Sequence, residues 1–141
     1  MKRIVYIASI FMLLVILTAL FVFIKVYNKP HTDVKASASD YTVTVENIAS
    51  DFSQNEEEAN RKYLDKIIQV EGVVKHVDIF NGYSTVTLTD SKDITKTVVC
   101  NMAVSENMKT VALQEGQKII VKGICTGYLM DVMLVKTVII N

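Results

Sequence analysis

Tryptophan is absent, and proline, histidine and cysteine are scarce: one Pro, two His and two Cys in 141 residues. Neither His31 nor His76 stands at ligand spacing from the cysteines, so no metal centre is expected. No serine or cysteine has a histidine close by in sequence, and no phosphate-cradling glycine loop is present. Catalysis and a bound cofactor are therefore not expected. A charge excess is missing too. Fifteen basic residues balance fifteen acidic ones, which excludes a strongly basic polyanion binder on bulk electrostatics.

What the chain does have is apolar surface, 50% of its residues, and much of it sits at one end. Ile4 to Ile24 is a run of 21 residues without a charge, polar only at Ser9 and Thr18. At about 1.5 Å per residue such a helix just spans a hydrocarbon core of about 30 Å. Tyr6 and Tyr27 stand near its ends, where amphipathic rings favour the interface. Lys2 and Arg3 form a short positive head, which suits either a cleaved signal or an anchor. The run exceeds a cleavable core and ends in Phe21-Val22-Phe23-Ile24-Lys25, too bulky for signal cleavage, and no lipid-accepting cysteine follows. Residues 1–27 are read as an uncleaved transmembrane signal anchor. Lys25, Lys29 and Lys35 nearly balance the head charges. The signal-like head still favours a single-pass cell-membrane protein with its C-terminal part outside the cytoplasm, on the periplasmic side.

Pro30 disfavours helix in Lys29 and stops the span. Residues 28–44 read as a polar tether. Within it Tyr41 to Val45 alternates like a strand but equally leads into a helix. Residues 45–63 read as short helices: Ile48 and Phe52 are spaced i, i+4, and Asn55 with Glu58 forms a capping box ahead of Glu56 to Arg61. The acidic first turn and basic last turn of that second helix match its dipole.

From residue 64 the period changes to that of strands. Ile67 to Val77 is long and β-branched, with Gly72 marking a bulge or bend. Asn81-Gly82 is a hairpin turn between Phe80 and Tyr83. Tyr83 to Thr89 alternates, Val86 and Leu88 inward, Thr85, Thr87 and Thr89 outward. Asp90 to Asp93 is a turn, and Thr95 to Met102 a third strand with Val98, Cys100 and Met102 on one face. Ser105 caps a short helix whose apolar side is Met108, Val111 and Ala112, ended by Gly116. Lys118 to Cys125 is a fourth strand, Thr126 to Met130 a loop, and Asp131 to Ile140 a fifth strand. This is all-β with short helices, in the order of a five-stranded OB barrel over residues 64–141.

A resemblance agrees with that order. The phrases Asn28-Lys29-Pro30-His31, Asn60-Arg61-Lys62-Tyr63-Leu64, Val70-Glu71-Gly72-Val73-Val74, Val98-Val99-Cys100, Glu115-Gly116-Gln117 and Val121-Lys122-Gly123-Ile124-Cys125-Thr126-Gly127 with Asp131-Val132 resemble one family. It is that of small tRNA-anticodon-binding-domain-like OB-fold proteins, mostly from Bacteroidetes. The resemblance covers residues 28 to 141 and implies an OB barrel behind a membrane segment or lipid anchor. It implies no reaction and no ligand.

Three aromatics are available to a ligand on the barrel: Phe80, Tyr83 and Tyr128. OB domains stack single-stranded bases on such rings within a basic groove, but residues 64–141 carry eight basic and eight acidic side chains. The expected role is non-catalytic binding or scaffolding of a protein or envelope component. Single-stranded nucleic acid is the alternative. Cys100 and Cys125 fall on inward faces, which leaves two alternatives: a disulfide, as an oxidising compartment favours, or two buried thiols packed as small hydrophobes.

Overall fold

The computed structural model describes residues 2–27 and 33–140, with side chains of the N-terminal helix described at Tyr6 and 11–23. The chain divides into two units between residues 32 and 33. In the first, helix α1 covers Lys2–Tyr27. Its described side chains are apolar apart from Thr18, whose hydroxyl donates to the Val15 carbonyl, and the phenol of Tyr6. Among the described residues no helix is long and apolar enough to cross a membrane. The expected span, Ile4 to Ile24, includes side chains outside the described ones, as do Pro30, His31 and the start of the tether.

The second unit opens on a strap, residues 33–40. The Asp33 carboxylate accepts from the amides of Lys35 and Ala36, closing a turn, and Val34 is buried. Asp40 then locks to Ile67 twice: its amide donates to the Ile67 carbonyl at 2.7 Å, and its carboxylate accepts the Ile67 amide at 2.8 Å. That lock starts strand β1, Tyr41–Thr44, which runs parallel to β2, Ile67–Phe80. Thr44 ends the strand by accepting from the Asn47 amide and capping α2, Val45–Gln54. Both features left open at Tyr41 to Val45 are therefore present in succession.

Asn55 ends α2 and caps α3, Glu56–Tyr63, accepting from the Glu58 amide at 3.1 Å. Val45, Ile48, Ala49 and Phe52 form the buried face of α2, which plugs one end of the sheet. The strands that follow β2 are β3 (Tyr83–Thr89), β4 (Thr97–Met102), β5 (Lys118–Leu129) and β6 (Asp131–Ile139). They pair in the order β2-β3-β4-β6-β5, and β5 returns to β2, closing a five-stranded barrel with β1 as a sixth, appended strand.

Closure depends on the length of β2. Its first half pairs with β5 from Ile67 to Val73, its second half with β3 from Val73 to Phe80, and the register shifts between Val74 and His76. The shift leaves Lys75 as the extra residue, three positions beyond the bulge or bend expected at Gly72. Gly72 is needed for another reason: a Cβ there would lie 2.6 Å from Val45 Cγ2. The side chain is missing so that α2 can approach the barrel wall. Asn81 and Gly82 both have positive φ, 50° and 80°, as the primed hairpin turn requires.

Three further expectations are corrected. Thr126 to Met130 is not a loop: β5 runs on to Leu129 through an irregularity between Cys125 and Gly127, leaving Met130 alone at the hairpin tip with φ 72°. Thr89 does not face outward but is buried, its hydroxyl directed to the Lys96 carbonyl where the β3–β4 turn folds back. The largest change concerns the segment after β4. Ser105 caps nothing; it lies in a 3₁₀ turn, Val104–Glu106, that leads into α4, Asn107–Val111. Gly116 stands beyond that helix, in the turn into β5 with φ 84°. The faces are reversed as well. Glu106 and Thr110 point inward, while Met108 and Val111 point to solvent. The buried Glu106 carboxylate accepts the Ile139 amide and pairs with Lys109 at 3.2 Å, and these bonds satisfy it where an apolar side chain was expected.

Candidate functional site

Strand register decides which side chains share a surface. Phe80 stands directly opposite Tyr83, Asp78 opposite Thr85, and His76 opposite Thr87. Thr85 is in turn opposite Asn101, and Thr87 opposite Val99. Because partners across a ladder lie on one face, these residues form a continuous outer surface over β2, β3 and β4. Its inner counterparts Val86, Leu88, Val98 and Cys100 are buried.

Phe80 and Tyr83 are 76% and 72% exposed. Two large rings this open, paired across a two-residue turn, present stacking area to solvent. Below them Thr85 Oγ1 donates to Asn101 Oδ1 at 3.2 Å, so a hydroxyl and an amide are held at a fixed spacing. Further along, His76 is gripped at both nitrogens: Nδ1 lies 3.1 Å from Glu115 Oε1 and Nε2 lies 3.3 Å from Asp78 Oδ1. The bond to Glu115 raises the imidazole pKa above its ordinary value, and the Asp78 charge adds to the effect. No lysine or arginine occupies these register positions from His76 through Asn101.

Tyr128 does not belong to this surface. It is half-buried and stacks on Phe52, ring centroids 5.6 Å apart and planes 13° apart, beside the α2 plug. Tyr63 continues the cluster at 5.9 Å from Phe52, with Tyr41 edge-on to Tyr63 at 5.4 Å. The three aromatics foreseen as a ligand site therefore separate into an exposed pair and a packing residue. The sequence did not point to Thr85, Asn101 or Glu115 as site residues. The outward alternation of threonines on β3 was the available signal for the first, whereas Glu115 reaches the site only through the fold.

Cys100 and Cys125 are free and buried. Burial pushes the Cys100 thiol up to about 12 and raises that of Cys125. A second polar cluster, in a cleft between α2 and α3, is internally paired. Asp51 accepts from the Tyr63 hydroxyl at 2.7 Å and from Lys62 at 3.0 Å, and these bonds hold its carboxyl below the usual range. The Lys62 ammonium also lies over the Tyr63 ring, 4.7 Å from its centroid.

The family model described as tRNA_anti-like matches residues 1–139. The chain belongs to the tRNA_anti-like family. Among solved structures, this tRNA_anti-like chain is similar to a lipoprotein from Klebsiella pneumoniae subsp. pneumoniae MGH 78578 proposed to bind nucleic acid. The two share 23% identity at a TM-score of 0.64, over 80% of this chain and 100% of that one. Weaker likeness extends to the Stn1–Ten1 complex of S. pombe (16% identity, TM-score 0.42, 53% of this chain, 58% of that). The yeast Stn1 and Ten1 structure is comparable (13%, TM-score 0.41, 79% and 68%). No curated protein matches the chain. At these identities the likeness concerns the fold, and the barrel order β2-β3-β4-β6-β5 of this tRNA_anti-like protein is that fold.

Proposed function

We propose that this protein is a non-catalytic binding module, an OB barrel carried outside the cytoplasm on its N-terminal membrane anchor. It engages a protein or another component of the cell envelope through the surface around Phe80 and Tyr83. The observation that carries the reading is that exposed ring pair, set above the Thr85–Asn101 bond among register positions that hold no lysine or arginine. Rings and neutral hydrogen-bonding groups suit a partner of low charge. Phosphate backbones need cations, and the carboxylates of Asp78 and Glu115 flank this surface instead. The anchor rests on the uncharged run from Ile4 to Ile24 and on the helix that covers it.

The test is capture of partners from detergent-solubilised membranes by the full-length protein and by a Phe80→Ala, Tyr83→Ala variant. The expected result is an envelope partner held by the parent and lost by the variant. Single-stranded nucleic acid is the second reading, favoured by the same rings, because OB folds stack bases on this face. Tight binding of a single strand with a steep salt slope, abolished in the same variant, establishes it and overturns the first.

A further inference from the structure

We propose that the barrel rests on the membrane surface with the outer stripe of its 104–111 segment against the lipid; this rests on the anchor reading above. Val104, Met108 and Val111 are spaced at i, i+4 and i+7 and lie on one side of the segment, all exposed, Met108 by 90%. Of the polar residues of the same segment, Glu106 and Thr110 are buried on the opposite side, Glu106 at 2%, while Ser105 and Lys109 are exposed on its flank. An amphipathic segment whose apolar side faces away from its own core has a surface left for another apolar phase. The stripe is extended by exposed Ile79, because Ile79 lies opposite Ser84, and the Ser84 side chain bonds to Asn107.

Two observations select lipid as that phase. The first is charge. Lys35 and Lys109 both lie within ion-pair distance of the single Glu106 carboxylate, at 3.9 and 3.2 Å, and both ammonium groups are more than half exposed. Two cations against one buried anion leave a positive charge beside the stripe, as anionic headgroups require. The second is chain length. Lys35 belongs to the strap, and only residues 28–32 separate the strap from the last residue of α1. That piece is at most about 20 Å long when fully extended. A chain anchored through α1 therefore holds the Lys35–Glu106 contact, and the stripe beside it, close to the bilayer.

A further exposed apolar tip, Leu129 and Met130, lies at the far end of β4. Val98 at the start of that strand pairs next to Asp131, whereas Met102 leads into the 104–111 segment. It is the internal control.

The experiment uses the full-length chain in vesicles of phosphatidylcholine and phosphatidylglycerol, with a nitroxide attached at one introduced cysteine. Met108→Cys and Val111→Cys probe the stripe and Met130→Cys the control. The buried native thiols stay unlabelled under native conditions, which the parent protein verifies. The expected result is that labels at 108 and 111 collide with oxygen in preference to a water-soluble nickel complex. The ratio should exceed that at 130 several-fold. Labels at 108 and 111 open to the nickel complex, on a chain that floats with the vesicles, would overturn the docking and leave the anchor standing. Failure to float overturns the anchor and the docking together. Dipolar broadening between labels at 108 would show a second copy covering the stripe, and would also overturn the proposal.

Discussion

Cys100 and Cys125 stand on opposite sides of β6, each paired in register with Leu134. A whole strand separates them, so their Cα atoms are about two strand spacings, roughly 10 Å, apart. A disulfide needs less than about 7 Å. Both thiols are therefore expected to be present in protein taken from membranes under non-reducing conditions. They should resist alkylation at pH 8 in the folded state and react stoichiometrically after denaturation. Mass spectrometry with and without denaturant reads this directly, and a mass short by two hydrogens would contradict it.

Gly72→Ala places a methyl group against Val45 Cγ2, with Leu88 Cβ at 3.2 Å and the Thr89 carbonyl at 3.3 Å leaving no retreat. The expected cost is about 1–3 kcal/mol of stability, a fall in Tm of several degrees. Combining it with Val45→Ala should cost less than the sum of the two single changes, because the truncated valine admits the methyl. Additive losses in denaturant melts would mean that this clash is not what the glycine avoids.

Lys122 is almost fully buried, and its ammonium donates to the carbonyls of Lys35 at 3.0 Å and Ser37 at 2.7 Å. Lys122→Met keeps the aliphatic stem and removes both bonds, each worth about 1.5–3 kcal/mol when charge-assisted. The strap should loosen before the barrel does. Hydrogen exchange at residues 34–38 is expected to quicken while the β3–β4 amides keep their protection.

His76 titrates above the ordinary imidazole value of 6.5 because Glu115, and then Asp78, favour its charged form. Its folded pKa is the higher one, so its contribution to stability is complete below the unfolded pKa. That contribution fades as pH rises through the folded value. In Glu115→Gln the imidazole NMR titration should shift to lower pH; an unchanged midpoint would separate the two groups.

Asp51 behaves oppositely. The Tyr63 hydroxyl and then Lys62 hold its pKa below 3.8, so its contribution is complete above that value and is lost as pH falls through the folded pKa. Tyr63→Phe should cost about 0.5–1.5 kcal/mol at neutral pH, toward the lower end because the carboxylate is partly exposed, and less in acid. Equal destabilisation at pH 7 and at pH 2 would show that the hydroxyl acts through something other than the carboxylate.

The barrel was legible where local chemistry decides. Asn81-Gly82 demanded a primed turn, and the alternation of Val86, Leu88, Val98 and Cys100 set the inner face regardless of what lay opposite. The pairing of Phe80 with Tyr83 followed from the same turn. What escaped depends on distant partners. Nothing local distinguishes Tyr128 as a ligand-facing ring from Tyr128 stacked on Phe52, which is 76 positions away in the sequence. Met108 and Val111 read as core because apolar residues ordinarily are. The inversion is set by Glu106, whose burial is made tolerable by Ile139 and Lys109. Thr126 and Gly127 look like a loop by composition, and they stay in a strand because β6 pairs alongside.

β6 follows every other strand in sequence yet lies between β4 and β5. Until residues 131–139 have been made, those two strands each present an unpaired edge and the α2 plug has an incomplete wall to close. The β2–β3–β4 and β2–β5 pairings do not involve β6, but closure of the barrel waits for this one late segment.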